Sequence, residues 1–259
     1  MNGESNISQS VSLIIPVYNE ADHLERLLSI IDELRLPVEK ELVIVNDCST
    51  DGSADIIKHF QFKSPVVFVE QHPNQGKGAA IRAGIGKATG TIIGIQDADM
   101  ETDVNEISKL IAPLLKDKAD VVYGSRFKKT NDQVHRTFHY LVNRSLTMFS
   151  NVLSNLYLTD METCYKFFRA DLLKNIKLES NRFGFEPEVT AKIARLQIRV
   201  MELPISYYPR KYLEGKKLDW KDGIAAVGHI FYFNVIKRNG DCFLEALPER
   251  YLPKGGNWL

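Results

Sequence analysis

The sequence is short of several features that would each point to a function. Its three cysteines, Cys48, Cys164 and Cys242, form no CxxC pair. That excludes a zinc knuckle and a thioredoxin-type redox pair, and leaves reduced thiols in a cytoplasmic compartment as the expectation. No apolar run approaches the ~18 residues needed to span a bilayer. The opening MNGESNISQS has no basic stretch followed by an apolar one, so no secretory signal is read there. Charge of one sign is not in excess: 33 Lys and Arg balance 33 Asp and Glu, which removes the basic surplus that wholesale nucleic-acid binding requires. Neither GxxxxGK(S/T) nor a GxGxxG after the first strand is present, so a P-loop nucleotidase and a dinucleotide oxidoreductase both lose their main signature.

What is present is an alternation. VSLIIPVY, ELVIVND, PVVFVEQ, TIIGIQ and ADVVYGSRF read as strands with apolar cores and polar carboxyl ends. Between them Leu24, Leu27, Leu28, Ile31 and Leu34 fall at helical spacing, with Asn19 where an N-cap would sit. TDGSADIIKHF and NQGKGAAIRAGIGKATG open two more helices. A fourth runs from about Asp103 to Leu115, with Glu106 placed for a capping box. Strand–helix alternation with short connectors implies an α/β fold, an open and mostly parallel sheet flanked by helices. In such sheets ligands sit outside the carboxyl ends of the strands. The second half is expected to hold a long helix around HYLVNRSLTMFSNVL, a short strand and helix in CYKFFRADLLKN, a helix in FGFEPEVTAKIARL, a strand in IRVMELP and a charged loop in RKYLEGKKLDWKDG. Trp220, Ile224, Val227, Phe231 and Val235 line one face of a last helix. Such stripes are usually core; the alternative is a face that lies on a membrane, with Lys221, Lys237 and Arg238 near headgroups.

The fourth strand ends in QDADMETD. In extended backbone, residues two apart share a side, so Asp97, Asp99 and Glu101 are expected to converge. Three carboxylates held together repel unless a cation joins them, and Mg²⁺ or Mn²⁺ suits oxygen ligands. An EF-hand is excluded, because positions six and twelve counted from Asp97 hold Thr102 and Ser108 instead of Gly and Glu. The competing reading is a solvated strand end that begins the next helix. Asp47, at the end of the second strand, can accept hydrogen bonds from a base edge or a ribose. Gly76 and Gly78 let backbone approach a ligand, with Lys77 between them as a point charge. Glu20 and Asp51 fit helix capping as well as ligand contact.

IIPVYNE, NDCSTDGS, NQGKGAAIRAG, DADME, YGSRF and TDMETCYKFFR occur in this order. On these motifs the chain resembles the family 2 inverting glycosyltransferases of GT-A fold, and more narrowly the dolichyl- or polyprenyl-phosphate sugar transferases. The resemblance implies a Rossmann-like GT-A sheet with a C-terminal acceptor-side subregion. It implies a disordered stretch 1–10, a nucleotide-sugar-binding half 11–127, an acceptor-binding half 128–238 of the same domain and a tail 239–259. Asp97 and Asp99 would form the metal-binding DxD, with Glu101 in a third position where relatives often carry Gln. Pro16, Tyr18, Glu20 and Asp47 would line the nucleotide pocket, beside Lys77 and Asp97. The implied donor is a nucleotide sugar, GDP-mannose first and UDP-glucose next.

The acceptor decides what else the site needs. A hydroxyl acceptor, on a glycan or elsewhere, requires a general base, and Asp160, Glu162, Glu186 and Glu188 are the candidates. A lipid monophosphate has a second pKa near ~6 and is already anionic, so it requires cations instead. Arg126 in GSRF and Lys216 and Lys217 in the basic loop match the family's phosphate-engaging positions. Arg144 is assigned with them, against the alternative of a solvated helix face. Asp99, Arg126 and Glu186 are thus the expected catalytic residues. A peripheral contact of the last helix, or a separate membrane-anchoring partner, would bring the chain to the cytoplasmic face of a membrane.

Overall fold

Residues 8–128, 137–209 and 220–253 are described by a computed structural model. In chain order the elements are β1 (Ser10–Val17), α1 (Ala21–Glu33), β2 (Glu39–Asn46), α2 (Ser53–His59), β3 (Val66–Glu70), α3 (Lys77–Lys87), β4 (Ile92–Ile95), α4 (Ile107–Leu115), β5 (Val121–Ser125), α5 (Thr137–Ser154), β6 (Lys166–Arg169), α6 (Ala170–Leu173), α7 (Phe185–Ile193), β7 (Val200–Pro204) and α8 (Trp220–Phe231). The sheet has seven strands in the order β3-β2-β1-β4-β6-β5-β7. All pairings are parallel except those of β6, which runs antiparallel to both β4 and β5. One sheet therefore joins the two halves of the chain, as expected of a Rossmann-like GT-A fold.

The apolar runs in the strands follow from burial on both faces. In β1, Ile14 packs into a core that includes Val43, Ile81, Tyr123, Phe168 and Ile230. Its neighbours Leu13 and Ile15 point into the opposite core with Leu24, Leu28, Ile107 and Phe167. Removing each such side chain from water stabilises the fold by about 1.5–3 kcal/mol before entropy. Pro204 ends β7, which lies at the sheet edge where a missing N–H breaks no ladder.

Several expectations need correction. Helix α1 begins at Ala21, and Asn19 has a positive φ of 52°. Its side-chain oxygen accepts from Thr50 N instead of capping the helix. Glu106 lies in a 3₁₀ turn before α4, and its carboxylate accepts from the Ser206 amide at 2.7 Å, so it closes no capping box. The expected disordered stretch 1–10 ends early, because Ser10 already pairs in β1; residues 1–7 lie outside the described residues. Within the expected tail, Cys242, Phe243, Leu247 and Tyr251 are buried in the core.

Of the expected stripe, the Trp220 side chain lies outside the described residues, and the other four side chains are not core. Ile224 is 62% exposed, and Val227, Phe231 and Val235 are exposed with it. Ala226, Ile230 and Phe233 are the buried side chains, packed toward α5 and α7. The helix is apolar nearly all round, and Tyr232–Ile236 form a π turn that shifts the phase of the pattern. On α5, Leu141, Met148 and Val152 are also exposed. Among the described residues no helix is long and apolar enough to cross a membrane.

Candidate active site

From β1 the sheet grows in one direction through β2 and β3 and in the other through β4, so the crevice lies at the carboxyl ends of β1 and β4. The loops after β1 and β2 lock together there. Asn19 N–H donates to Ser49 Oγ and Glu20 N–H to Ser53 Oγ, both at 3.0 Å. Asp51 Oδ2 accepts from Ala21 N at 2.9 Å and so caps α1. Pro16 and Glu20 are half-buried at this end of β1, and Tyr18 is exposed.

Asp47 is buried, and both carboxylate oxygens are already engaged. They accept from Gln75 N at 2.8 Å and Gly76 N at 2.6 Å, so Asp47 holds the turn into α3. The two glycines of that turn work differently from expectation. At Gly76 (φ 95°) and Gly78 a Cβ would stand 2.5 Å from Asn181 O and 2.4 Å from Ser180 O. Gly78 N and Ala79 N donate to Arg182 O and Asn181 O. The close approach is to the 180–182 segment leading to α7, and those first amides of α3 are spent on it.

That packing delivers Lys77 to the crevice. Its Nζ lies 2.9 Å from Asp97 Oδ2 and 3.0 Å from Glu186 Oε1, bridging the end of β4 to the first turn of α7. Burial works against the ammonium charge, but Asp97 and Glu186 outweigh it and hold the Lys77 pKa well above its ordinary value. The three carboxylates do not converge as expected. The chain leaves extended geometry after β4 and turns at Met100, whose φ is 57°, so the two-residue period is lost. Asp99 Oδ1 accepts from Glu101 N at 3.0 Å, and Glu101 Oε2 accepts from Tyr207 OH at 2.7 Å. Among the described residues no three or more metal-ligating side chains are gathered at one point. Asp97 and Asp99 remain half-buried hard-oxygen donors; burial pushes the Cys164 thiol pKa well up, and the two carboxylates add to it. That two-carboxylate donor set fits a divalent cation; Glu101, committed to Tyr207, is the weaker third.

On the other side stands Arg126, just past β5. Asp160, with a side chain 0% exposed, accepts from Arg126 Nε and Nη2, both at 2.7 Å, and from its backbone N at 3.0 Å. The Phe127 and Tyr207 rings lie 5.5 and 5.3 Å from the guanidinium carbon. Burial opposes the charge, yet Asp160 prevails and raises the Arg126 pKa. Glu202 of β7 accepts from Thr159 N and Asp160 N and fixes this loop from below. Arg144 is exposed on α5 and donates to Thr159 O at 3.2 Å, which places it beside the Arg126 loop. Lys216 and Lys217 lie outside the described residues, as does the rest of the 210–219 loop. Glu188 faces away from the crevice: it is fully buried and accepts from Glu179 N and Ser180 N. Glu162 is half-buried near Arg126, with its carboxyl pushed up to about 7 by burial and by Glu186, against the pull of Lys166 and Arg126. Lys166 is fully buried, donates to Met161 O at 2.8 Å and to Thr163 O, and its pKa falls to about 8 through burial. Glu202, Tyr207, Lys166 and Cys164 were not picked out by sequence reasoning; a charged residue inside an apolar strand was the available signal for Glu202.

A family model described as Glycosyl transferase family 2 matches residues 12–177. The chain belongs to that family. It is 31% identical over 215 residues to an undecaprenyl-phosphate mannosyltransferase of Micrococcus luteus, covering 80% of this chain and 86% of that protein. It is 30% identical over 227 residues to a dolichyl-phosphate beta-glucosyltransferase of Trichomonas vaginalis, covering 80% and 68%. A dolichol-phosphate mannosyltransferase of Pyrococcus furiosus is 28% identical, with 85% of this chain aligned to 62% of that protein. Among solved structures, glucosyl-3-phosphoglycerate synthase from Mycobacterium tuberculosis, in complex with Mn²⁺ and UDP-glucose, superimposes with a TM-score of 0.69. That match covers 90% of this chain and 81% of the other at 16% identity, and it shows the shared GT-A fold. This family 2 glycosyltransferase thus brings together Lys77 of α3, Asp97 and Asp99 after β4, Arg126 after β5, Glu162 before β6 and Glu186 of α7.

Proposed function

We propose that this glycosyltransferase moves a hexosyl group, with inversion, from a nucleotide sugar to a polyprenyl or dolichyl phosphate. GDP-mannose is the first choice of donor and UDP-glucose the second. The observation that carries the acceptor assignment is the state of the carboxylates. Asp160 is committed to Arg126, Glu186 to Lys77 and Glu188 to backbone amides, so the site is furnished with oriented cations. An anionic phosphate needs such cations to hold it and needs no base to activate it. Arg126 binds the acceptor phosphate, kept in one orientation by Asp160, with Arg144 and the Lys216–Lys217 loop contributing further positive charge. The names of the Micrococcus and Trichomonas relatives support the same reading.

Pro16, Tyr18, Glu20 and Asp47 lie along the nucleotide side, in the half 11–127; the acceptor side is built by 128–238. Asp97 and Asp99 would hold Mg²⁺ or Mn²⁺, which as a Lewis acid would stabilise the charge of the departing nucleoside diphosphate. Lys77 adds a positive charge beside Asp97 and fixes Glu186, which is then placed to orient the donor sugar. The exposed apolar side chains of α5 and α8 would rest on the bilayer that carries the acceptor, with the enzyme working at its cytoplasmic face in this reading.

A second reading, transfer to a glycan or other hydroxyl, is favoured by one observation: the near-neutral Glu162 carboxyl has the pKa of a general base. Purified protein with Mn²⁺ and labelled GDP-mannose or UDP-glucose, offered polyprenyl phosphate in vesicles or soluble saccharides, separates the two. Label entering the organic phase supports the phosphate acceptor; label entering a saccharide with none in lipid refutes it.

A further inference from the structure

Glu162 is left over once the site has been described. It lies in the segment between α5 and β6, half-buried, and its Oε1 is enclosed with no hydrogen-bond partner. Buried oxygens without partners are uncommon and call for an explanation. Each neighbour that would supply a donor is occupied elsewhere. Lys166 of β6 gives its protons to Met161 O and Thr163 O and lies 4.2 Å from the centre of the Tyr123 ring. Arg126, after β5, forks onto Asp160 of the same loop as Glu162. Glu186, facing it from α7, is an acid held by Lys77. Tyr123 of β5 bonds Thr190. The missing partner is therefore external.

We propose that Glu162 receives a hydroxyl of the transferred sugar and, with Glu186, forms an acidic wall that admits a neutral hexose and disfavours a hexuronate. This deepens the nucleotide-sugar reading and rests on it. The position is right: Glu162 shares its surroundings with Glu186, Arg126 and Asp160, between the donor-side Lys77–Asp97 pair and the acceptor-side arginine. The chemistry is also right. A hydroxyl both donates and accepts, so it matches a carboxyl that carries its proton part of the time near neutral pH. A sugar carboxylate, by contrast, would face two acids at close range, and like charges there disfavour binding.

The test is calorimetric titration with UDP, UDP-glucose and UDP-glucuronate, and with GDP and GDP-mannose, in the presence of Mn²⁺. Wild type is expected to bind a hexose ester more tightly than the matching diphosphate, and UDP-glucuronate more weakly than UDP-glucose. Glu162→Leu, which removes the unpartnered oxygen at similar volume, should leave diphosphate affinity within about twofold and weaken the hexose ester roughly tenfold. Glu162→Gln keeps a hydrogen-bonding group and drops the charge, so it should retain most hexose affinity while narrowing the gap to UDP-glucuronate. Equal loss of diphosphate and sugar ester in both variants would mark a structural role and overturn the proposal. So would a collapse of kcat with donor affinity unchanged, which is the signature of a base. If wild type itself binds no nucleotide sugar, the underlying reading fails before any variant is compared, and the proposal falls with it.

Discussion

Replacing Asp160 with Asn tests whether the Arg126 clamp is an energetic unit. Asp160 is fully buried and takes three hydrogen bonds from Arg126, two of them side-chain bonds at 2.7 Å. Asn keeps one acceptor oxygen and loses the charge, so the guanidinium is left largely uncompensated. Removing one partner of a buried pair costs about 3–5 kcal/mol. Arg126 is 15% exposed and flanked by the Phe127 and Tyr207 rings, which puts the expectation at the low end, about 3 kcal/mol. For a chain of this size that is a fall in Tm of roughly 6–12 °C. Equilibrium urea unfolding supplies the free energy, and the single variants Arg126→Met and Asp160→Leu with their combination form a double-mutant cycle. The double variant should recover much of the single-variant loss, because no buried charge is then left alone. A cost under about 1 kcal/mol for Asp160→Asn, or strict additivity in the cycle, would refute the coupling.

Three further outcomes follow from the geometry. Glu162 has a folded-state pKa of about 7 against an ordinary 4.5, so the native state holds its proton more tightly than the unfolded chain and loses stability as pH rises through that window. Glu162→Gln should therefore gain on wild type by about 2–3 kcal/mol between pH 4.5 and 7.5 in urea unfolding; an unchanged difference would contradict it. Gly78→Ala would push a methyl group against Ser180 O, separating α3 from the 180–182 segment; a loss of about 1–3 kcal/mol together with weakened nucleotide binding is expected, and a neutral variant would show that the contact is slack. Phe231→Asp and Val235→Lys change exposed side chains and should alter stability by no more than about 0.5 kcal/mol while lowering turnover on vesicle-borne acceptor; equal turnover on vesicles and in detergent would argue against membrane contact.

The strand–helix alternation was readable because β1, β2 and β4 are buried on both faces, which leaves unbroken apolar runs ended by polar turns. The site's location followed from the same pattern. Side-chain assignments within it were harder. The spacing of Asp97, Asp99 and Glu101 assumed extended backbone, but β4 ends at Ile95 and the left-handed Met100 turns the chain between Asp99 and Glu101. Gly76 and Gly78 signal close approach, but composition does not say to what, and the partner proved to be a segment a hundred residues away. Asp47 and Glu202 hold backbone amides of distant loops, a role with no local signature. Helix α8 is apolar on several faces, so periodicity marked a stripe without telling which face turns inward. The antiparallel entry of β6 between β4 and β5 depends on tertiary pairing that Lys166–Arg169 do not encode by themselves.

The central claim is transfer of a sugar from a nucleotide to a lipid phosphate at the Asp97–Asp99 end of the sheet. Its most direct test is to incubate wild type and Asp99→Ala with Mn²⁺, labelled nucleotide sugar and polyprenyl phosphate, and to analyse the organic phase by mass spectrometry. The account expects a polyprenyl-phosphate hexose with wild type and none with Asp99→Ala, whose melting temperature stays near that of wild type. Product formed equally by the folded variant, or a wild type that yields no lipid-linked sugar from any nucleotide sugar, would contradict it.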